Sequence, residues 1–140
     1  MVFNRPTQPL EEREVNALDA KAAVIGIDAE IRNFSWLDFE VLEFVGRQLT
    51  LIGSIDSSVK HDLEVIFKDI NFVSMPFEWK TDTSTKVLEL VEGEEAIAIN
   101  QRFQVEQGYH IFRFHPEDFI TPDGCLIAAK SIDWRNSNAE

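Results

Sequence analysis

The chain has one cysteine, one tyrosine and only 13 basic residues against 25 acidic ones in 140. A single thiol excludes an internal disulfide, so a reducing, cytoplasmic setting is the expected one. The shortage of Lys and Arg leaves a formal charge of −12. That charge works against nucleic acid or an anionic membrane surface as a partner, because both would repel it. No apolar run approaches the roughly 20 residues needed to span a bilayer. The opening MVFNRPTQPLEERE lacks the apolar stretch of a signal peptide. Phosphate-cradling loops of the GxGxxG or GxxxxGK[ST] kind are missing, as are basic stripes interleaved with aromatics. Nothing implies a cofactor. Repeats, low-complexity blocks and composition breaks are missing too. The 140 residues therefore read as a single domain, with residues 1–8 as a flexible arm and residues 135–140 as a frayed tail.

What is there is apolar material in a strand-like pattern. Hydrophobic residues make up 44% of the chain and eleven are Phe, enough for a core. The stretch from Trp36 to Trp79 organises the rest. Phe39–Val45 is aromatic and β-branched, and Gly46-Arg47 suits a two-residue hairpin turn. From residue 48 to 55 the chain alternates, with Leu49, Leu51, Gly53 and Ile55 on one face. From residue 61 to 68 it alternates again, placing Leu63, Val65 and Phe67 opposite Asp62, Glu64, Ile66 and Lys68. One covered and one wet face are the mark of an antiparallel sheet. Asp69-Ile70-Asn71 reads as a break before a short strand at residues 72–75, and Pro76 as a stop or an edge.

Before this stretch, Leu10–Ala23 is made of helix formers with acid in its first turns. Beyond Ala23 the pattern fits either continued helix to Ile31 or an early strand at residues 24–27. After it, the reading is a polar loop at residues 80–85, a strand at 86–91 and a turn at 92–95. Residues 96–100 are ambiguous. A hairpin of residues 102–106 and 109–115 follows, then turn chemistry at Thr121-Pro122-Asp123-Gly124, and a last strand at residues 125–132. The expected fold is α+β: an N-terminal helix packed on an antiparallel sheet of six or seven strands.

Three sets of residues invite chemistry. His110, His115, Glu117 and Asp118 are of metal-ligating type, but on one strand positions 110 and 115 point to opposite faces, so no metal is expected there. Cys125, with His110 and His115, offers an alternative reading as a small ligand-binding or hydrolytic pocket. No nucleophile motif surrounds the thiol, and an inert buried cysteine is the commoner case. Asp38, Glu40, Asp62 and Glu64 lie on neighbouring strands, where a solvated acidic face is the plain explanation. For a protein-binding face the anchors would be aromatic. Trp79, between Glu78 and Lys80, is the tryptophan expected to be exposed, framed by Asp38, Glu40, Glu43, Glu92, Glu94 and Glu95.

Three segments resemble small uncharacterised bacterial proteins. Phe34–Glu43 (FSWLDFEVLE) resembles their opening of a Trp and an acidic strand. Asp62–Pro76 (DLEVIFKDINFVSMP) is similar to their strand pair, and Ile111–Ile132 (IFRFHPEDFITPDGCLIAAKSI) to their closing hairpin. Such families include predicted immunity proteins of polymorphic toxin systems. The resemblance implies an α+β fold without enzymatic activity. Many of those openings carry His where this chain has Leu37, so no site is carried over. The expectation is a non-enzymatic acidic binding protein that neutralises a basic protein partner. A structural homodimer, burying a sheet face or an edge, is a further alternative.

Overall fold

The computed structural model describes residues 10–56, 58, 60–118 and 123–136. Seven strands and two helices follow in the order α1 (Leu10–Ile31), β1 (Asp38–Val45), β2 (Gln48–Ser54), β3 (Leu63–Ser74), β4 (Glu78–Trp79), β5 (Leu88–Val91), α2 (Gly93–Phe103), β6 (His110–Phe114) and β7 (Cys125–Asn136). The strands form one antiparallel sheet in the order β4-β1-β2-β3-β7-β6-β5. The expected α+β architecture, an N-terminal helix on a sheet of six or seven strands, is the observed one. No helix among the described residues is long and apolar enough to cross a membrane.

The helix continues to Ile31, which decides against the early strand. Its buried residues Ala20, Val24, Ile27 and Ile31 recur at helical spacing and pack on the main core. That core takes the alternating set from the sheet: Leu49 and Leu51 from β2, Leu63, Val65 and Phe67 from β3, Phe112 and Phe114 from β6, and Ile127 and Ala129 from β7. Gly53 belongs to this set because a Cβ there would lie 2.7 Å from Leu37.

Several expectations need correction. Asp69-Ile70-Asn71 does not end a strand. It is a bulge inside the twelve-residue β3, with Asp69 at φ 58 and the register against β7 shifting between Ile70 and Phe72. The extra residue bends the strand and keeps both Ile70 and Val73 against the main core. Residues 92–106 are not a turn and a hairpin arm but hold α2. Acidic Glu94 and Glu95 open this helix and Arg102 closes it, as the helix dipole favours. Ala96, Ile99 and Phe103 face Val91, Ile111, Leu126 and Phe72, a second small core on the opposite side of the sheet. Arg135 and Asn136 belong to β7 and not to a frayed tail. The arm at residues 1–8, residues 121–122 of the expected turn, and residues 137–140 lie outside the described residues.

The sheet is curled. Phe39 on β1, Trp79 on β4 and Phe114 on β6 meet with ring centroids 5.2 to 5.7 Å apart, Phe39 and Trp79 stacked and Phe114 tilted against both, although β6 is four strand positions from β1. Beyond the strand ends, Thr81 bridges Pro116, and the Glu117 N–H donates to the Lys80 carbonyl at 2.8 Å. At the other edge, an Asp28 carboxylate oxygen on α1 accepts the N–H groups of Val87 and Leu88 at 2.8 and 3.0 Å. Replacing that carboxylate by a methyl group leaves two partly buried amides unpaired. We expect Asp28→Ala to lower the unfolding free energy by about 3 kcal/mol in urea denaturation. A loss below about 1 kcal/mol would show that water takes over both amides.

Candidate functional site

The curl creates the site. Where β1 begins, the chain after β4 meets the chain after β6, and a cleft of about 320 Å³ opens between them. It is lined by Ser35, Trp36 and Asp38, by Lys80, Thr81, Asp82 and Thr83, and by Glu117. Three carboxylates against one ammonium leave its wall negative.

Local chemistry holds the wall in place. The Trp36 indole N–H donates to the Ile55 carbonyl at 3.0 Å, and the ring stays 50% exposed. The buried Thr83 hydroxyl lies 2.8 and 3.0 Å from the Phe34 and Ser35 carbonyls, fixing the loop against the lead into β1. Asp82 turns the loop. One of its oxygens accepts the Ser84 N–H at 3.0 Å and the Ser84 hydroxyl at 2.6 Å, and these bonds hold its pKa below the usual carboxylate value. Thr81 is 3% exposed, and its hydroxyl has no partner among the described residues.

Of the residues singled out in the sequence, the structure brings only Asp38, Glu117 and Trp36 to this cleft. Trp79 is corrected: it is 7% exposed and stacked in the core, so it presents no anchor. Glu40 lies on β1 beside Ile52, on the sheet face away from the main core, and Glu43 opposes Thr50; Ile52 and Thr50 are buried, so this face is not the wet one expected. Glu64 opposes Ile52 from the other side, so Glu40 and Glu64 do share a face, two strands or about 10 Å apart. Glu64 is already engaged by His61 at 2.8 Å and Arg135 at 2.9 Å. Burial pushes its pKa up, but those bonds and charges outweigh it and the net shift is downward. Glu92, Glu94 and Glu95 stand apart from β1, at the start of α2. Glu92 pairs with Lys21 at 3.4 Å, and Glu95 with Arg113 at 2.7 Å.

The second cluster surrounds Arg113, which is 4% exposed. Its guanidinium donates to the Asp123 carbonyl at 2.8 Å, to Glu95 at 2.7 Å and to Glu89 at 3.4 Å, and Glu89 also meets His115 at 2.6 Å. Burial alone would lower the Arg113 pKa, yet the two carboxylates raise it. The same bond holds Glu95 below the usual carboxylate value. Each of the three guanidinium nitrogens has a protein partner, so this network fastens α2 and β5 to β6.

His110, His115 and Cys125 do not converge. Phe112, beside the His110 ring, and Cys125, opposite Phe114, belong to the main-core side. His115 joins Glu89 and Arg113 on the α2 side, five residues further along. His115 is thus parted from the other two by the sheet. Among the described residues no three His, Cys, Asp or Glu side chains could hold a metal ion. Cys125 is wholly buried, and burial pushes its thiol pKa up to about 12. Comparison of the chain with known protein families, with curated proteins and with solved structures finds no match.

Two outcomes follow from these environments. Cys125 should resist a thiol reagent at pH 8 in the native protein and react fully in denaturant; rapid native labelling would contradict its burial. Burial lowers the His110 pKa from its ordinary 6.5. Its unfolded form therefore binds the proton first, and stability falls as the pH drops from about 6.5 through the folded value. The lowered carboxylates Glu64 and Glu95 act further down, below their ordinary 4.5. Urea midpoints at pH 7.5 and 5.5 should differ less in His110→Gln than in the parent, and an unchanged difference would contradict this assignment.

Proposed function

We propose that this chain is a non-enzymatic binding protein that takes a basic protein partner, in the manner of an immunity protein neutralising a toxin. The observation that carries the reading is the negatively lined cleft beside the half-exposed Trp36. It is backed by the charge of −12.

The mechanism is charge complementarity around an aromatic contact. Acidic side chains raise the encounter rate with a basic surface and fix its orientation, while the desolvated ring supplies contact energy. The anchor role expected of Trp79 passes to Trp36. Phe77, 63% exposed, adds apolar area further along β1, where its carbonyl accepts the Val41 N–H. Asp38, Glu40 and Glu43, all on β1, form the acidic approach on this side.

The natural candidate partner is the product of the gene adjacent to this one. Co-expression should restore growth to cells poisoned by that product. The association rate should fall about tenfold or more between low and high salt. The double variant Glu40→Lys, Glu43→Lys should slow association several-fold while dissociation changes little. Failure to protect, together with a salt-independent rate, would remove this reading.

A further inference from the structure

The cleft combines a fixed ring, uncommitted carboxylates and an orphan hydroxyl. Because the Trp36 N–H is already bonded to Ile55, the indole is held at the rim with half its surface in water. An indole face so held attracts a cation through its quadrupole. Asp38 comes from the first residue of β1 and Glu117 from the segment after β6. Among the described residues neither carboxylate has a hydrogen-bond or ion-pair partner. The Ser84 bonds leave the second oxygen of Asp82 open. The Thr81 hydroxyl, buried in the same wall, lacks the partner that buried polar groups ordinarily have.

We propose that this cleft receives the side chain of one arginine of the basic partner. Its guanidinium lies over Trp36, and its N–H fork is shared between Asp38 and Glu117, against the wall that holds the Thr81 hydroxyl. Arginine fits better than lysine. Its planar group carries five donors, stacks on aromatic faces and sheds water more readily than a compact ammonium. A metal ion is disfavoured, since no cluster of three ligating side chains exists among the described residues. A space of about 320 Å³ is at the lower limit for ligand sites and suits one side chain. Lys80 is the one like charge in the wall; it weakens binding of any cation and so reports on what occupies the cleft.

The test uses the full chain and three pentapeptides, Gly-Gly-X-Gly-Gly, with X as arginine, lysine or citrulline. Binding is followed by the NMR signals of the Trp36 indole N–H and the amides of residues 80–83. The arginine peptide should shift these signals saturably, the lysine peptide at least about threefold more weakly, and the neutral citrulline peptide not at all. Asp38→Asn and Glu117→Gln should each weaken binding by about fivefold or more. Lys80→Met should tighten it, a direction that a merely structural effect would not produce. Glu94→Gln, at the start of α2, should leave it unchanged. The spectra themselves report whether each variant is folded, and the exposed Glu117 keeps the test alive if a change at Asp38 disturbs β1.

Equal binding of arginine and citrulline peptides, or shifts centred away from the cleft, would overturn the proposal. So would a null effect of both carboxylate variants. The inference rests on the reading of the chain as a receiver of basic partners, but the two fail separately. A partner that binds with strong salt dependence and ignores Asp38→Asn and Glu117→Gln refutes only the arginine site. An arginine peptide that binds as described, with no protection from the neighbouring gene's product, refutes only the immunity-type role.

Discussion

The contact among the rings of Phe39, Trp79 and Phe114 sets the geometry on which the rest depends. A seven-strand sheet left open would hold β1 and β6 about 19 Å apart, four strand spacings. Ring contact at 5 to 6 Å requires the sheet to curl around its apolar face. Each buried ring contributes roughly 2 kcal/mol or more by leaving water, and the curl gives all three a common interior. Two consequences follow from one packing choice. The segment after β4 meets the segment after β6, and the polar residues of both are gathered at a seam near the start of β1. The cleft is that seam.

The two faces of the sheet are then used unequally. α1 covers the main core, and α2 covers only a patch around β5, β6 and the adjoining parts of β7 and β3. Arg113 on β6 holds α2 through Glu95 and β5 through Glu89. An ion pair of this kind is strongly felt when broken, because one partner is left charged and buried. The network therefore belongs to the fold. The cleft differs from it in the one respect that matters for binding: Asp38 and Glu117 are not consumed by neighbours among the described residues.

Local pattern made α1, β1, β2 and the first half of β3 legible, because period-2 and helical spacings are properties of consecutive residues. The same logic placed β5, β6 and β7. It failed at α2, whose buried stripe is only Ala96, Ile99 and Phe103, too short a repeat to outweigh its β-branched residues. That spacing of three and four, preceded by Glu94 and Glu95, was nevertheless the available signal. It failed too at Asp69, where a bulge looks the same as a strand end. The cleft was hidden for a different reason. Asp82, Lys80 and Thr81 read as an ordinary polar loop and Glu117 as a metal candidate, and Trp36 only as the start of the central stretch. Only the curl, a non-local event, gathers them. The burial of Trp79 has the same origin, since charged neighbours in sequence say little about a ring that turns inward.

The pairing of β3 with β7 also has a temporal side. β3 ends at Ser74 and its partner begins at Cys125, so β7 starts 51 residues later (125 − 74). At roughly 5–20 residues per second, a ribosome takes about 3–10 s to supply that strand. Throughout that interval the longest hairpin-linked strand of the nascent chain has one unpaired edge, the kind that other chains can extend. Glu64, Lys68 and Asp69 interrupt its apolar run, and charges so placed discourage edge-to-edge association. The acidic and basic residues along β3 thus guard the unfinished chain, whatever they do once the sheet is complete.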